Sequence, residues 1–299
     1  MLNGHLLGIY EKAFPSEWDW AKKFEAAQSL GFDFFEISID ESDARLARLD
    51  WSEQELLDFH RELNRTKLSL QSMCLSAHRR FPFGSCREEV RRRADDIMEK
   101  AILFAKEFGI RVIQLAGYDV YYEPSTPESV SCFLDGLHRA CAFAEQHQVM
   151  LAMEIMDTSF LNSITKYMQY KHALQSPWFS VYPDIGNLSA WGNDVAYELR
   201  LGQHEIVAIH LKDTLAVTPD FPGKFKGVPF GQGCVDFSKA FYLLEKQRYT
   251  GPFLIEMWHQ PGGDALGDIQ RAVQFVQGKY QEGLARRERE LENARIGTV

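Results

Sequence analysis

The sequence predicts a single (β/α)8 barrel of the TIM type, and three observations carry that prediction. Short apolar runs alternate with longer helical stretches along almost the whole chain. The runs are nearly continuous in apolar residues, as parallel strands covered on both faces are. Eight such units fit a chain of 299 residues, and eight is the number that closes a barrel.

The strands read Leu6–Tyr10, Phe32–Asp40, Leu68–His78, Val112–Asp119, Met150–Asp157, Phe179–Asn187, Ile206–Asp213 and Pro252–His259. Between them lie helical patterns at Trp18–Leu30, Ser52–Asn64, Arg87–Phe108, Glu128–His147, Ile164–Gln175 and Phe237–Arg248. Gly31 and Gly109 follow helices and precede strands, where a left-handed residue ends a helix. Ser52-Glu53-Gln54-Glu55 has the form of a capping box. No Pro/Gly/Ser-rich linker or low-complexity tract interrupts the alternation, so residues 1–299 read as one domain with a helical extension from about residue 265. That extension ends in Arg286-Arg287-Glu288-Arg289-Glu290 and reads as a solvated helix, with a subunit contact as the alternative. The run Arg87–Arg93, interleaved with glutamates, reads as a solvated helix face.

Composition narrows the function. With 33 Lys+Arg against 42 Asp+Glu the formal net charge is −9, which argues against nucleic acid or an anionic membrane as a partner. A few local cations still suffice for one small anion. MLNGHLLGIYEK has neither a basic start nor a long apolar stretch, and nowhere does an apolar run approach the ~18 residues of a membrane span. Cys74, Cys86, Cys132, Cys141 and Cys234 are scattered without a C-x-x-C pair, as free thiols in a reducing cytoplasm would be.

The chemistry is written at strand ends, where barrel enzymes build their sites. Four consecutive strands carry a metal-competent side chain there: Glu154 in LAMEIMD, Asp184 in VYPDIGN, His210 in VAIHLKD and Glu256 in FLIEMWH. Any one of them alone suits a structural ion pair. Together, three carboxylates and an imidazole converging on one barrel mouth would repel without a cation. One divalent ion resolves this, and Zn²⁺, Mn²⁺ and Mg²⁺ all suit the donor set. A ketose chelated through its carbonyl and neighbouring hydroxyl could then lose the intervening C–H as a metal-stabilised enediolate. Strands five and eight are three apart in a ring of eight, so Glu154 and Glu256 approach from well-separated directions, an arrangement for inversion.

These residues and their surroundings resemble the L-ribulose-5-phosphate 3-epimerases, also called L-xylulose-5-phosphate 3-epimerases, of the xylose-isomerase-like barrel superfamily. The resemblance runs from LGIYEKA through GFDFFEISIDE, SMCLSAHRRFPFGS, IRVIQLAGYDVYY and LAMEIMD to PWFSVYPDIGNLSAW, EIVAIHLKD, KGVPFGQGCVDF and GPFLIEMW. It thins after about Gln260. It implies metal-dependent interconversion of L-xylulose 5-phosphate and L-ribulose 5-phosphate in bacterial L-ascorbate and pentose catabolism. It implies Glu154, Asp184, His210 and Glu256 as metal ligands, with Glu154 and Glu256 as the acid/base pair. Epimerases of free ketohexoses carry a histidine where this chain has Asn187, a departure that fits the phosphate-ester group.

Further candidates lie around the same rim. Lys224, Lys226 and the glycines Gly231 and Gly233 follow strand seven and form either a phosphate cradle or a plain turn. His78 ends strand three and can bind a sugar hydroxyl or phosphate, while Arg79 and Arg80 read as partners of acidic neighbours. Lys212 shares a strand face with His210 and reads as a contact to substrate or to a metal-bound carboxylate. Glu36 and Gln114 end inner strands, as hydroxyl ligands or as core hydrogen-bonding groups. Tyr118, Tyr121 and Tyr122 form an aromatic cluster that caps the pocket or a subunit contact; a homodimer stays open.

Three other readings stand beside the sugar-phosphate epimerase. An epimerase or aldose–ketose isomerase of another, unphosphorylated sugar uses the same barrel. An endonuclease-IV-like phosphodiesterase needs more strand-end histidines and a basic DNA face. A non-catalytic sugar-binding protein has no use for paired carboxylates around a metal.

Overall fold

The computed structural model describes Leu2 and residues 4–296. Strands β1 (Leu7–Tyr10), β2 (Phe34–Ile39), β3 (Ser69–Leu75), β4 (Val112–Ala116), β5 (Met150–Glu154) and β6 (Phe179–Tyr182) alternate with helices. These are α1 (Trp20–Ser29), α2 (Asp43–Leu46), α3 (Glu53–Asn64), α4 (Glu88–Phe108), α5 (Pro127–His147) and α6 (Ile164–Leu174). Then follow α7 (Ile185–Ala190), α8 (Val195–Leu201), β7 (Ile209–Leu211), β8 (Asp213–Leu215), β9 (Lys224–Val228), α9 (Phe237–Lys246), β10 (Phe253–Ile255) and α10 (Ala265–Ile296). Eight parallel strands pair in the order β6-β5-β4-β3-β2-β1-β10-β7. The ring closes between β6 and β7 through parallel bridges Val181–Ile206 and Asp184–His210, with His210 N donating to Pro183 O at 3.0 Å. All eight predicted barrel strands are present.

Strand alternation sorts the residues into two environments. Phe35, Ile37, Ile39, Met73, Leu75, Ile113, Leu115, Leu151, Met153, Phe179, Val181, Ile209, Leu211, Phe253 and Ile255 join one large apolar cluster with the helices. Their neighbours on the other face fill the inside of the barrel. Part of this filling is apolar: Phe34 and Leu254 pack with Tyr10 and Cys74, and Ala152, Tyr182 and Ala208 pack together. Gly8 makes room there, since a Cβ on it would lie 2.2 Å from the Phe34 ring. At the carboxyl end the inward positions turn polar, with Glu36, Gln114, Glu154, His210 and Glu256 all buried.

Helix ends follow the sequence signals. Ser52 and Glu55 form a reciprocal capping box, Thr126 and Ser129 form another, and Gly31 and Gly109 take φ of +83° and +68°. Arg92 pairs with Glu88 and Arg93 with Asp96 on the exposed side of α4, the solvated face expected there.

Three elements differ from the sequence reading. The third strand stops at Leu75, and a 3-10 turn at Ala77–Arg79 replaces its predicted end. The sixth stops at Tyr182, so that Asp184 becomes the N-cap of α7, its Oδ1 accepting from Asn187 N at 2.8 Å. The helix expected to be solvated is half buried: Ile269, Ala272, Val276 and Tyr280, spaced one per turn, pack into the main core beside α9. Its charged end, with Arg287 and Lys246 both on Glu290, is the solvated part. The density of charge in that end hid the apolar stripe upstream.

Beneath the mouth, between β1 and β2, lies a fully buried carboxylate. Glu11 accepts two hydrogen bonds from Arg48, at 2.6 and 2.8 Å, and one from Ser38 N at 2.9 Å. Arg45 at 3.5 Å and Lys23 at 3.7 Å add charge. Burial alone would raise this carboxyl, but the three cations hold it below its ordinary value.

Candidate active site

Four strand-end side chains converge at the carboxyl end of the barrel. Glu154 (end of β5), Asp184 (just past β6), His210 (β7) and Glu256 (just past β10) offer ligand atoms that all lie within 4.8 Å of one another. Strand pairing delivers them: β5 and β10 flank β6 and β7 in the closed ring, which puts the two glutamates at the ends of the arc. His210 Nδ1 lies 3.3 Å from Glu154 Oε1 and 3.8 Å from Glu256 Oε2.

Burial separates the four into two pairs. Asp184 and His210 are 0% exposed, whereas Glu154 and Glu256 retain 5% and 6% and border the cavity above them. Desolvation drives the Glu154 and Asp184 carboxyls upward. It acts on Glu256 too, but there the charges of Lys212 and His210 outweigh it and hold the group low. Lys212 Nζ sits 2.7 Å from Asp184 Oδ2 and 2.9 Å from Glu256 Oε2, yet neither oxygen receives a well-aimed hydrogen bond. Buried carboxylate oxygens without an aligned donor are costly. Three carboxylates and one imidazole at this spacing can hold a divalent cation, which satisfies those orphaned oxygens.

A layer of polar residues orients the four. Gln114 Nε2 donates to Glu154 Oε2. Ser72 Oγ donates to Glu36 Oε2 at 2.5 Å, and Glu36 Oε1 stands 3.3 Å from His210 Nε2. A register shift between β2 and β3 at Phe35/Glu36 brings Ser72 opposite Glu36. A carboxylate on one imidazole nitrogen favours a lone pair on the other, which faces the cluster. Glu36 and Gln114 therefore act on the site's own side chains; both are fully buried and do not border the cavity as sugar ligands would.

Of the remaining expected contacts, Asn187 and Lys212 do border the cavity. Asn187 Nδ2 donates to Ile155 O at 2.8 Å, and its Oδ1 is buried without a partner. His78 does not reach the cavity. The 3-10 turn swings it outward, where Nε2 meets Ala94 O at 3.1 Å, the ring stacks on Phe83, and burial lowers its pKa to about 4. The same turn aims Arg79 inward, over the Tyr121 ring and 3.4 Å from Tyr118 OH. Arg80 pairs with Asp43 at 2.7 Å and Arg79 more loosely with Glu41 at 4.0 Å, the role expected of both arginines.

The glycine segment is not an open phosphate cradle. Gly231 N and Gly233 N donate to Asp213 Oδ2 at 2.8 and 2.9 Å, and Val235 N to Oδ1 at 3.3 Å. An internal carboxylate thus takes the amides that a phosphate would use. Gly233 has no room for a side chain, since a Cβ would lie 2.1 Å from Asp213 Oδ1 and 2.3 Å from Thr214 O. Gly233→Ala is expected to cost about 1–3 kcal/mol in urea denaturation. Gly278→Ala, in open space on α10, gains up to ~1 kcal/mol. Equal stability of the two variants would contradict this account of the loop. Lys224 and Lys226 lie on β9, which pairs antiparallel with β8; Lys224 does not border the cavity, while Lys226 does.

Sequence reading missed Tyr10, Cys74, Asp157 and Trp258 as cavity residues. Trp258 was accessible to it in principle, two residues past Glu256 and on the same face of the predicted strand Pro252–His259.

A xylose isomerase-like TIM barrel model matches residues 24–279. L-ribulose-5-phosphate 3-epimerase UlaE of Salmonella paratyphi A is 51% identical over 273 residues, covering 91% of this chain and 94% of its own. The chain belongs to the L-ribulose-5-phosphate 3-epimerase family. UlaE of Escherichia coli is 50% identical over the same shares. Among solved structures, that of an L-ribulose 3-epimerase matches with a TM-score of 0.74 at 16% identity, covering 95% of this chain and 97% of that one. The protein is therefore an isomerase-class enzyme, a carbohydrate epimerase. Among the described residues of this epimerase, no helix is long and apolar enough to cross a membrane.

Proposed function

We propose that this epimerase interconverts L-ribulose 5-phosphate and L-xylulose 5-phosphate by inverting C3 with Glu154 and Glu256. The observation that carries the reading is that these two, alone among the four clustered residues, border the cavity. A proton-transfer group must touch the carbon it serves. One glutamate removes the C3 proton, and the electron pair of that C–H bond forms a C2=C3 double bond as the carbonyl pair moves onto O2, leaving a planar enediolate. The other returns a proton to the opposite face. Gln114 Nε2 donates to the Glu154 carboxylate and holds that side chain in place before substrate arrives. Glu154, Asp184, His210 and Glu256 would hold a divalent cation, which would supply positive charge to stabilise the enediolate. The names of relatives about 50% identical support the ketopentose phosphate as substrate.

The phosphate, in this reading, meets Arg79 and Lys226 at the rim. Arg79 Nε is buried without an acceptor, and Lys226 borders the same cavity. Arg79→Met is expected to raise KM for the phosphorylated ketose about 10–100-fold, the loss of a charged hydrogen bond, with a smaller change in kcat. An unchanged KM in steady-state assays would move the phosphate elsewhere.

On the same reading the enzyme works in the cytoplasm, in L-ascorbate or pentose catabolism, in keeping with five cysteines that form no disulfide. The deciding experiment is proton NMR of L-ribulose 5-phosphate in D₂O with enzyme loaded with Mg²⁺ or Zn²⁺. Deuterium at C3 with appearance of L-xylulose 5-phosphate supports the assignment. A moved carbonyl would mean an aldose–ketose isomerase, and no exchange with any metal would discard this substrate.

A further inference from the structure

The Lys212 ammonium lies at ion-pair distance from two of the four candidate metal ligands. Asp184 has one carboxylate oxygen committed, Oδ1, which accepts from Asn187 N at 2.8 Å as the cap of α7. The other oxygen, Oδ2, accepts no hydrogen bond and is 2.7 Å from Lys212 Nζ. The same ammonium is 2.9 Å from Glu256 Oε2, the oxygen that faces His210. Both contacts are ion pairs without an aligned hydrogen bond, so they hold by charge and not by shape. Lys212 also has somewhere to go: it borders the cavity, 5.5 Å from the Trp258 ring, whose other close cation is Lys226 at 5.6 Å.

We propose that Lys212 is an internal counter-cation that competes with the divalent ion for Asp184 Oδ2 and Glu256 Oε2. In the metal-free enzyme it neutralises carboxylates that would otherwise repel across a buried site. On metal binding it is displaced toward the cavity and becomes a cationic contact for the substrate, so the metal must bind before the sugar. The proposal rests on the metal reading above and adds that the lysine weakens metal affinity, where a mere neighbour would leave it alone.

The test is calorimetric titration of Mn²⁺ into metal-free wild type, Lys212→Met and Lys212→Arg, beside thermal melts of the same proteins. Lys212→Met is expected to melt several degrees below wild type without metal, to bind Mn²⁺ about tenfold more tightly or better, and to gain more in Tm from it. Lys212→Arg keeps the charge and stays near wild type in affinity. Lys212→Gln, neutral but polar, follows Lys212→Met and serves if the methionine variant does not fold. In the wild type, mass-spectrometric acetylation of Lys212 rises with Mn²⁺ saturation. Mn²⁺ binding by Lys212→Met or Lys212→Gln that equals or falls below wild type overturns the competition while leaving the metal site intact. A wild type that binds neither Mn²⁺ nor Zn²⁺ overturns the metal reading and this proposal together.

Discussion

Glu256→Gln is expected to lower the rate of C3 epimerisation by about 10²–10⁴-fold, and Glu154→Gln by a similar factor. Each substitution keeps the shape and an amide oxygen for the cation but removes the ability to carry a proton. The informative part is the pattern of exchange. With two groups serving opposite faces, a variant lacking one still has the other, so C3 hydrogen exchange in D₂O survives for one epimer and is lost for its mirror at that carbon. The two variants should show opposite preferences. Both carboxylates border the cavity, three strands apart in the ring, and that placement makes the prediction. If both variants lost exchange with the same epimer, a single-base mechanism with rotation of the intermediate would replace the two-carboxylate one. If one variant kept full activity, that glutamate would be a ligand and nothing more.

The second large effect concerns stability. Glu11 is 0% exposed and carries Arg48, Arg45 and Lys23 around it, so Glu11→Ala leaves three clustered cations with only Asp40, on Arg45, as counter-charge. Breaking a buried ion pair from one side costs about 3–5 kcal/mol, and here the loss also strips Ser38 N of its acceptor. Exposed pairs behave differently. Arg61 and Asp58 are more than half exposed, and Arg61→Ala should cost under about 1 kcal/mol. Urea denaturation of the two variants checks both. A Glu11→Ala protein as stable as Arg61→Ala would show that water enters the cluster and screens it. Because Ser38 and Arg48 belong to the β2 side of the mouth, the same variant is expected to loosen Lys12 and Asp40, which pair at 2.6 Å nearby.

The barrel and its chemical centre were legible in the sequence for one physical reason. Parallel strands buried on both faces must be apolar almost throughout, so a charged residue at a strand end stands out. Glu154, Asp184, His210 and Glu256 are each preceded by apolar residues, and the structure brings their ligand atoms within 4.8 Å. The boundaries of the elements around them were less legible. Nothing in SMCLSAHRR distinguishes a strand that runs on to His78 from one that stops at Leu75 and turns, yet the turn decides that Arg79 enters the cavity and His78 leaves it.

Local motifs misled for a related reason: a motif names donors but not what they will meet. GQGCV exposes backbone amides in sequence, and a phosphate is one partner for them. In the fold Asp213, eighteen residues before Gly231, reaches the same amides first. Glu36 and Gln114 had the right strand-end position for sugar contacts, but depth in the barrel put them under His210 and Glu154. The sequence by itself determined the eight-stranded barrel, the four-residue centre and the family, because strand burial and strand-end polarity are properties of order along the chain. Tertiary structure alone decided which glutamates border the cavity, which cation sits on Asp184 and which arginine faces in, because each depends on what a distant segment places opposite.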